Sequence, residues 1–195
     1  TASIARSIMQ HSLGHGVSAL RLWYFGPYFR YERPQKGRQR QFHQYGAECV
    51  LSPYPESDVE IILLANDIIK SVGINDAKLI INSLGSDENR EKYRENLVKY
   101  LQSVESRLSE ESRLRLRLNP LRVLDSKEKA DIEALKEAPS IIDFLDDDSR
   151  SHFETVKELL GVAGVDFTVR PKLVRGLDYY SHTVFEFQSS ALGAQ

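Results

Sequence analysis

Apolar positions recur along the chain in two rhythms, one near 3.6 residues and one of 2, and their succession marks out helices and strands. Ile4 and Ile8, continued by Leu13, stand opposite Arg6 and Gln10, which predicts a short helix over residues 2–12. From Arg21 to Tyr31 the chain is rich in aromatic and bulky residues, broken only by Gly26-Pro27, and reads as a strand. A polar, basic stretch follows, with Pro34 and Gly37 as turn formers, before a strand pattern resumes from Gln41 to Leu51. Strand, basic stretch and strand predict an antiparallel hairpin with a long tip. Ser57 or Asp58 is expected to cap a helix carrying Val59, Ile62, Ile69 and Val72 on one face, and Gly73 to stop it. Ala77 to Leu84 is a nearly continuous apolar run, as expected of a strand buried on both faces. Charged helices are expected over 87–118, ended by Asn119-Pro120. Helices over 127–137 and 150–160, a strand over 165–169 and a strand from Tyr179 to Gln188 complete the pattern.

Strands, a helical middle and strands again predict an α+β fold, an antiparallel sheet flanked by helices. The core is expected in residues 1–85 and 165–195, interrupted by a mostly helical insertion over 86–164. Composition narrows the class: 41% hydrophobic and 28% charged residues describe an ordinary globular chain, and a net charge of −2 leaves nucleic-acid contact to local basic patches. The single cysteine, Cys49, excludes an internal disulfide and suits a reducing cytoplasm. No apolar run approaches the roughly 20 residues that span a bilayer. The start at Thr1 without an initiator Met points to processing or truncation.

Side chains on a strand alternate between faces. In the second hairpin strand Arg40, Phe42, Gln44, Gly46 and Glu48 therefore share one face, and Arg30 and Glu32 match their parity on the first. A cation, a ring, an amide, a gap and a carboxylate in line suit a ligand platform better than a core: the ring stacks on a base, and the amide and carboxylate take an ammonium group. Arg33, Lys36 and Arg38 add cations suited to phosphate. A solvated tip and an edge-strand carboxylate at Glu48 are the plain alternatives. For His43 an ordinary, partly packed ring is the better reading.

Residues 25–48, FGPYFRYERPQKGRQRQFHQYGAE, resemble motif 2 of class II aminoacyl-tRNA synthetases, in the form found in histidyl-tRNA synthetases. The resemblance implies ATP as a substrate. Arg30 would contact its α-phosphate and the histidine carboxylate, Glu32 its adenine and Arg38 its γ-phosphate, while Phe42 would stack on the base. Gln44 and Glu48 would bind the α-amino group of L-histidine. Residues 173–187, LVRGLDYYSHTVFEF, resemble the first histidine-specific signature of the same family. Arg175 would then reach the α-phosphate region and help neutralise the transition state, and Tyr179 and Tyr180 would line the imidazole pocket. A turn leading into an aromatic core strand is the alternative for the tyrosines.

Thr1-Ala2 looks like the end of a family segment whose threonine contacts the substrate amino group, and residues 119–126, NPLRVLDS, resemble a string of the bacterial-type insertion domain. Motif 1, with the homodimer interface, is expected before Thr1; motif 3, the second histidine signature and the anticodon-binding domain are expected after Gln195. The implied reaction is formation of histidyl-adenylate and transfer to the acceptor end of tRNA(His), with Mg²⁺ entering only through the resemblance and its ligands unknown. One rival is a non-catalytic, histidine-sensing regulatory subunit on the same fold, such as the partner of ATP phosphoribosyltransferase. Another is an RNA-binding module using Arg113, Arg115 and Arg117, a cluster that equally marks a solvated helix face.

Overall fold

Leu20–Phe29 (β1) and Gln41–Val50 (β2) pair antiparallel in unbroken register, from Leu20 opposite Val50 to Phe29 opposite Gln41. The computed structural model that shows this describes residues 2–31, 37–174 and 181–189. They fall into two compact units, residues 1–77 with 188–195 and residues 78–187.

The first unit holds the hairpin and two helices, α1 (Ala2–Gln10) and α2 (Pro55–Ser71). The second helix begins ahead of the expected Ser57 or Asp58 cap. Pro55 opens it, since proline lacks only an N–H that the first turn leaves unpaired and its φ is preset for a helix. Ser57 instead bonds Ser52 through the two hydroxyls, 2.6 Å apart. Gly73 ends the helix as expected: at φ +86° its N–H reaches the Lys70 carbonyl and that of Ile74 reaches Ile69, closing the last turn. Glu60 on α2 meets Arg21 on β1 in a two-pronged ion pair, with Nε 2.5 Å from Oε1 and Nη2 2.7 Å from Oε2.

In the second unit β3 (Lys78–Ser83) lies between β4 (Phe167–Val169) and β5 (Thr183–Gln188). Its central place explains the continuous apolar run, for every residue from Leu79 to Ser83 is buried. The hairpin is antiparallel as expected, but β4 runs parallel to β3, with Leu79 opposite Phe167 and Ile81 opposite Val169. A parallel return needs a long crossover. The helices between the two strands supply it: α3 (Asp87–Ser103), α4 (Glu110–Leu118), α5 (Lys129–Ala134) and α6 (Asp147–Val162).

Helix α3 starts on a reciprocal cap, Ser86 accepting from the Asn89 N–H and the Asn89 side chain accepting from the Ser86 N–H. Tyr93, Leu97 and Leu101, four residues apart on its inner face, are fully buried. They join Ile80, Leu84, Val123, Ile141 and Val184 in one core. The strands β3 and β5 thus pack with the helical segment, and the border between the two units falls ahead of β3.

Candidate functional site

Register converts the parity argument into geometry. Because even-numbered residues of β1 pair with even-numbered residues of β2, Leu22, Tyr24, Gly26 and Tyr28 share a face with Phe42, Gln44, Gly46 and Glu48. That face is half-buried, whereas the odd-numbered residues of β1 are exposed. The pairing runs one step beyond β1, where the Arg30 N–H donates to the Arg40 carbonyl at 2.9 Å.

Arg30, Phe42 and Gln44 form a cluster. An Arg30 Nη2 donates to Gln44 Oε1 at 3.0 Å, and the guanidinium carbon lies 5.0 Å from the centre of the Phe42 ring. Phe42 stacks in turn on Tyr28, with ring centres 6.2 Å apart and planes 26° from parallel. The guanidinium is therefore held by an amide and a π-face, both of which leave most of its donors available to an anion. Gly46 continues the line with no side chain, and the Tyr24 ring fills the space a Cβ would need. Glu48, half-buried, lies opposite Leu22 two pairs further on. Arg38 is exposed, just before Arg40, whose guanidinium sits 4.9 Å from the centre of the Tyr31 ring.

The opposite face is aromatic and open. Trp23 stacks near Tyr45 at 6.4 Å and Phe25 on His43 at 5.6 Å, so His43 is an exposed residue whose ring packs against one neighbour, in line with the reading of an ordinary, partly packed ring. The Arg30–Gln44 bond and the Tyr28 ring beneath Phe42 were missed from sequence. The stacking partner follows once the register is known, but the diagonal reach of a long guanidinium does not.

Thr1, Glu32, Arg175, Tyr179 and Tyr180 lie outside the described residues. On either side of 175–180, Leu173, Val174 and Val184 are buried in the core of the second unit. In the helical segment Arg113 donates to the carbonyls of Glu105 (3.0 Å) and Ser106 (3.1 Å), and Arg115 bonds Glu111 at 2.6 Å and the Arg122 carbonyl at 3.3 Å. These two arginines serve to tie α4 to its neighbours, which weakens the reading of a basic patch set out for RNA. Among the described residues no three His, Cys, Asp or Glu side chains gather as metal ligands, and no helix is long and apolar enough to cross a membrane.

A family model described as histidyl-tRNA synthetase matches residues 1–194. A histidine–tRNA ligase of Synechocystis sp. is 50% identical over the whole of this chain, which spans 44% of that protein. The solved structure of the apo histidyl-tRNA synthetase of S. aureus superposes with a TM-score of 0.73 at 36% identity, over 96% of this chain and 43% of its own. A structure described as an ATP phosphoribosyltransferase regulatory subunit/histidyl-tRNA synthetase, from Bacillus halodurans, superposes at 0.60 with 25% identity, over 100% of this chain and 54% of its own.

Proposed function

The chain belongs to the histidyl-tRNA synthetase family, and from that premise we propose that it forms part of the catalytic core of a histidine–tRNA ligase. The observation that carries the proposal is the hairpin face, on which Arg30 contacts both Phe42 and Gln44 and Glu48 follows in register. The complete enzyme activates L-histidine with ATP and passes the acyl group to the acceptor end of tRNA(His). It works in the cytoplasm as a homodimer. Residues 86–164 act as the helical insertion near the acceptor stem, and 1–85 with 165–195 as core.

The histidine carboxylate attacks the α-phosphorus of ATP in line; an oxygen–phosphorus bond forms as the bond to pyrophosphate breaks. No side chain is a covalent nucleophile. Catalysis comes from positioning and from neutralising charge on the α-phosphate by Arg30 and Arg175. Phe42 offers a ring face to the adenine, whose edge Glu32 accepts from, and Arg38 takes the γ-phosphate. Gln44 Oε1 has a second lone pair beside its bond from Arg30 and can accept from the histidine ammonium together with Glu48 and Thr1. Tyr179 and Tyr180 hold the imidazole. Mg²⁺ would arrive on the nucleotide phosphates and offset part of their charge.

A non-catalytic histidine-sensing paralogue is the alternative. The higher TM-score and identity to the S. aureus enzyme (0.73 at 36%, against 0.60 at 25%) and the retention of Arg30, Arg38 and Phe42 beside the amino-group residues favour the ligase. The deciding experiment is histidine-dependent ATP–pyrophosphate exchange by the full-length protein. Exchange with histidine alone among the amino acids establishes the ligase, and histidine binding without exchange establishes the paralogue. Glu48→Ala is expected to raise the KM for histidine by about 10-fold to 100-fold, as loss of a charge-assisted hydrogen bond does, with little change in the KM for ATP. Equal weakening of both substrates would remove Glu48 from the amino-group site.

A further inference from the structure

Gly46 leaves a gap in the even-numbered face of β2, and Tyr24 closes it from the other strand. The two residues are direct cross-strand partners. A Cβ on Gly46 would run into Cζ and Oη of Tyr24 and stand 2.6 Å from Cε1. The far end of the phenol ring therefore occupies the place of the missing side chain. Gln44 and Glu48 flank that place on the same face, two residues away in each direction. Each thus starts about 7 Å along the strand from Gly46, at about 3.4 Å per residue. Side chains of their length meet on a single cation only midway, over Gly46 and against the Tyr24 ring. The ring is itself held in a run of aromatics. It packs on Tyr28 with centres 6.2 Å apart and planes 47° from parallel, and Tyr28 stacks on Phe42.

We propose that Tyr24 is a further residue of the histidine site, its ring being the floor on which the α-ammonium rests between Gln44 and Glu48. The inference deepens the function proposed above and rests on its assignment of Gln44 and Glu48 to that ammonium. A phenol ring attracts a cation through its quadrupole, the more so once water is excluded. It also fills what would otherwise be a wet gap beneath two charge-assisted hydrogen bonds, which strengthen as water leaves. The glycine opposite has a reason on this reading, since any side chain at Gly46 would displace the ring.

The test is binding of L-histidine to the full-length protein by titration calorimetry, with imidazole propionate, which is histidine without its amino group, as the second probe. Tyr24→Ala should weaken histidine by about 10-fold and leave imidazole propionate and ATP within about 2-fold of wild type. Tyr24→Phe keeps the ring and should hold histidine within about 2-fold. Unchanged histidine affinity in Tyr24→Ala overturns the proposal. An equal loss for imidazole propionate also overturns it, because the ring would then be a general support of the strand face. So does an equal loss in Tyr24→Phe, which would move the role to the hydroxyl. Should Tyr24→Ala yield no folded protein, Tyr24→Leu, too short to reach the gap at Gly46, is read by the same outcomes. The ligase reading fails separately: a wild type that binds histidine without ATP–pyrophosphate exchange overturns it, and the histidine affinities still decide on Tyr24.

Discussion

Arg175→Ala in the full-length protein is expected to lower histidine-dependent exchange by about 10³-fold while leaving the fold intact. Removing a single preorganised donor from the site of developing charge costs about 10²–10³-fold in other enzymes, and a guanidinium brings full charge as well as directed donors. The fold should survive because the anchors of this part of the chain are its neighbours. Leu173 and Val174 are 6% and 4% exposed within the core, and the Leu173 carbonyl is held by Asn82. Arg175→Lys should recover only part of the loss, since an ammonium restores charge without the planar fork. The comparison to make is single-turnover adenylate formation against an unfolding curve on the same samples. Near wild-type turnover by a folded Arg175→Ala protein would sink the assignment.

How much of this was legible in the sequence depends on whether the responsible pattern is local. The hairpin face was, because strand parity alone puts Phe42, Gln44, Gly46 and Glu48 together and β1–β2 pairing adds Arg30 to them. The helices of the second unit were in outline, since the charged run over 87–118 holds α3 and α4, and the expected helices over 127–137 and 150–160 fall on α5 and α6. What escaped were features made by residues far apart in sequence. The parallel pairing of β4 with β3 depends on how the intervening helices return the chain, and periodicity has no access to that. The start of α2 at Pro55 was missed because two good capping residues follow it, and proline at the first helical position competes with them on equal terms. The bonds from the buried Asn82 amide to the Pro171 and Leu173 carbonyls join residues some ninety positions apart and leave no periodic trace.

Asp131 is the other long-range feature, and its removal is expected to give the largest loss of stability in the helical segment. It is fully buried and accepts four hydrogen bonds: from the Ser109 N–H and hydroxyl at 2.7 Å each, from Ser112 at 2.6 Å and from Ser126 at 2.5 Å. Ser109 also caps α4, accepting from the Ser112 N–H. One carboxylate thereby joins the start of α4, the chain after residue 125 and the first turn of α5. Burial pushes its carboxyl up, but the bonds from Ser112, Ser126 and Ser109 outweigh that and bring it from 3.8 to about 2. Asp131→Ala leaves the Ser109 N–H and the buried Ser112 hydroxyl without their acceptor. About 3 kcal/mol of stability should go, each such group costing about 1–3, which is a fall of roughly 10–25 °C in the melting temperature of a unit this size. Asp131→Asn keeps the volume and one acceptor, so it should lose about half as much. The pH dependence has a definite sign. A carboxyl whose folded pKa lies below its unfolded value stabilises the protein above the unfolded pKa, and that stabilisation fades as pH falls towards the folded one. About 2 kcal/mol should therefore disappear between roughly pH 5 and pH 2 in the wild type. Urea unfolding followed by circular dichroism across that range should show a flatter acid limb in Asp131→Ala. Parallel wild-type and mutant curves would mean that the carboxylate is only a spectator among its serines.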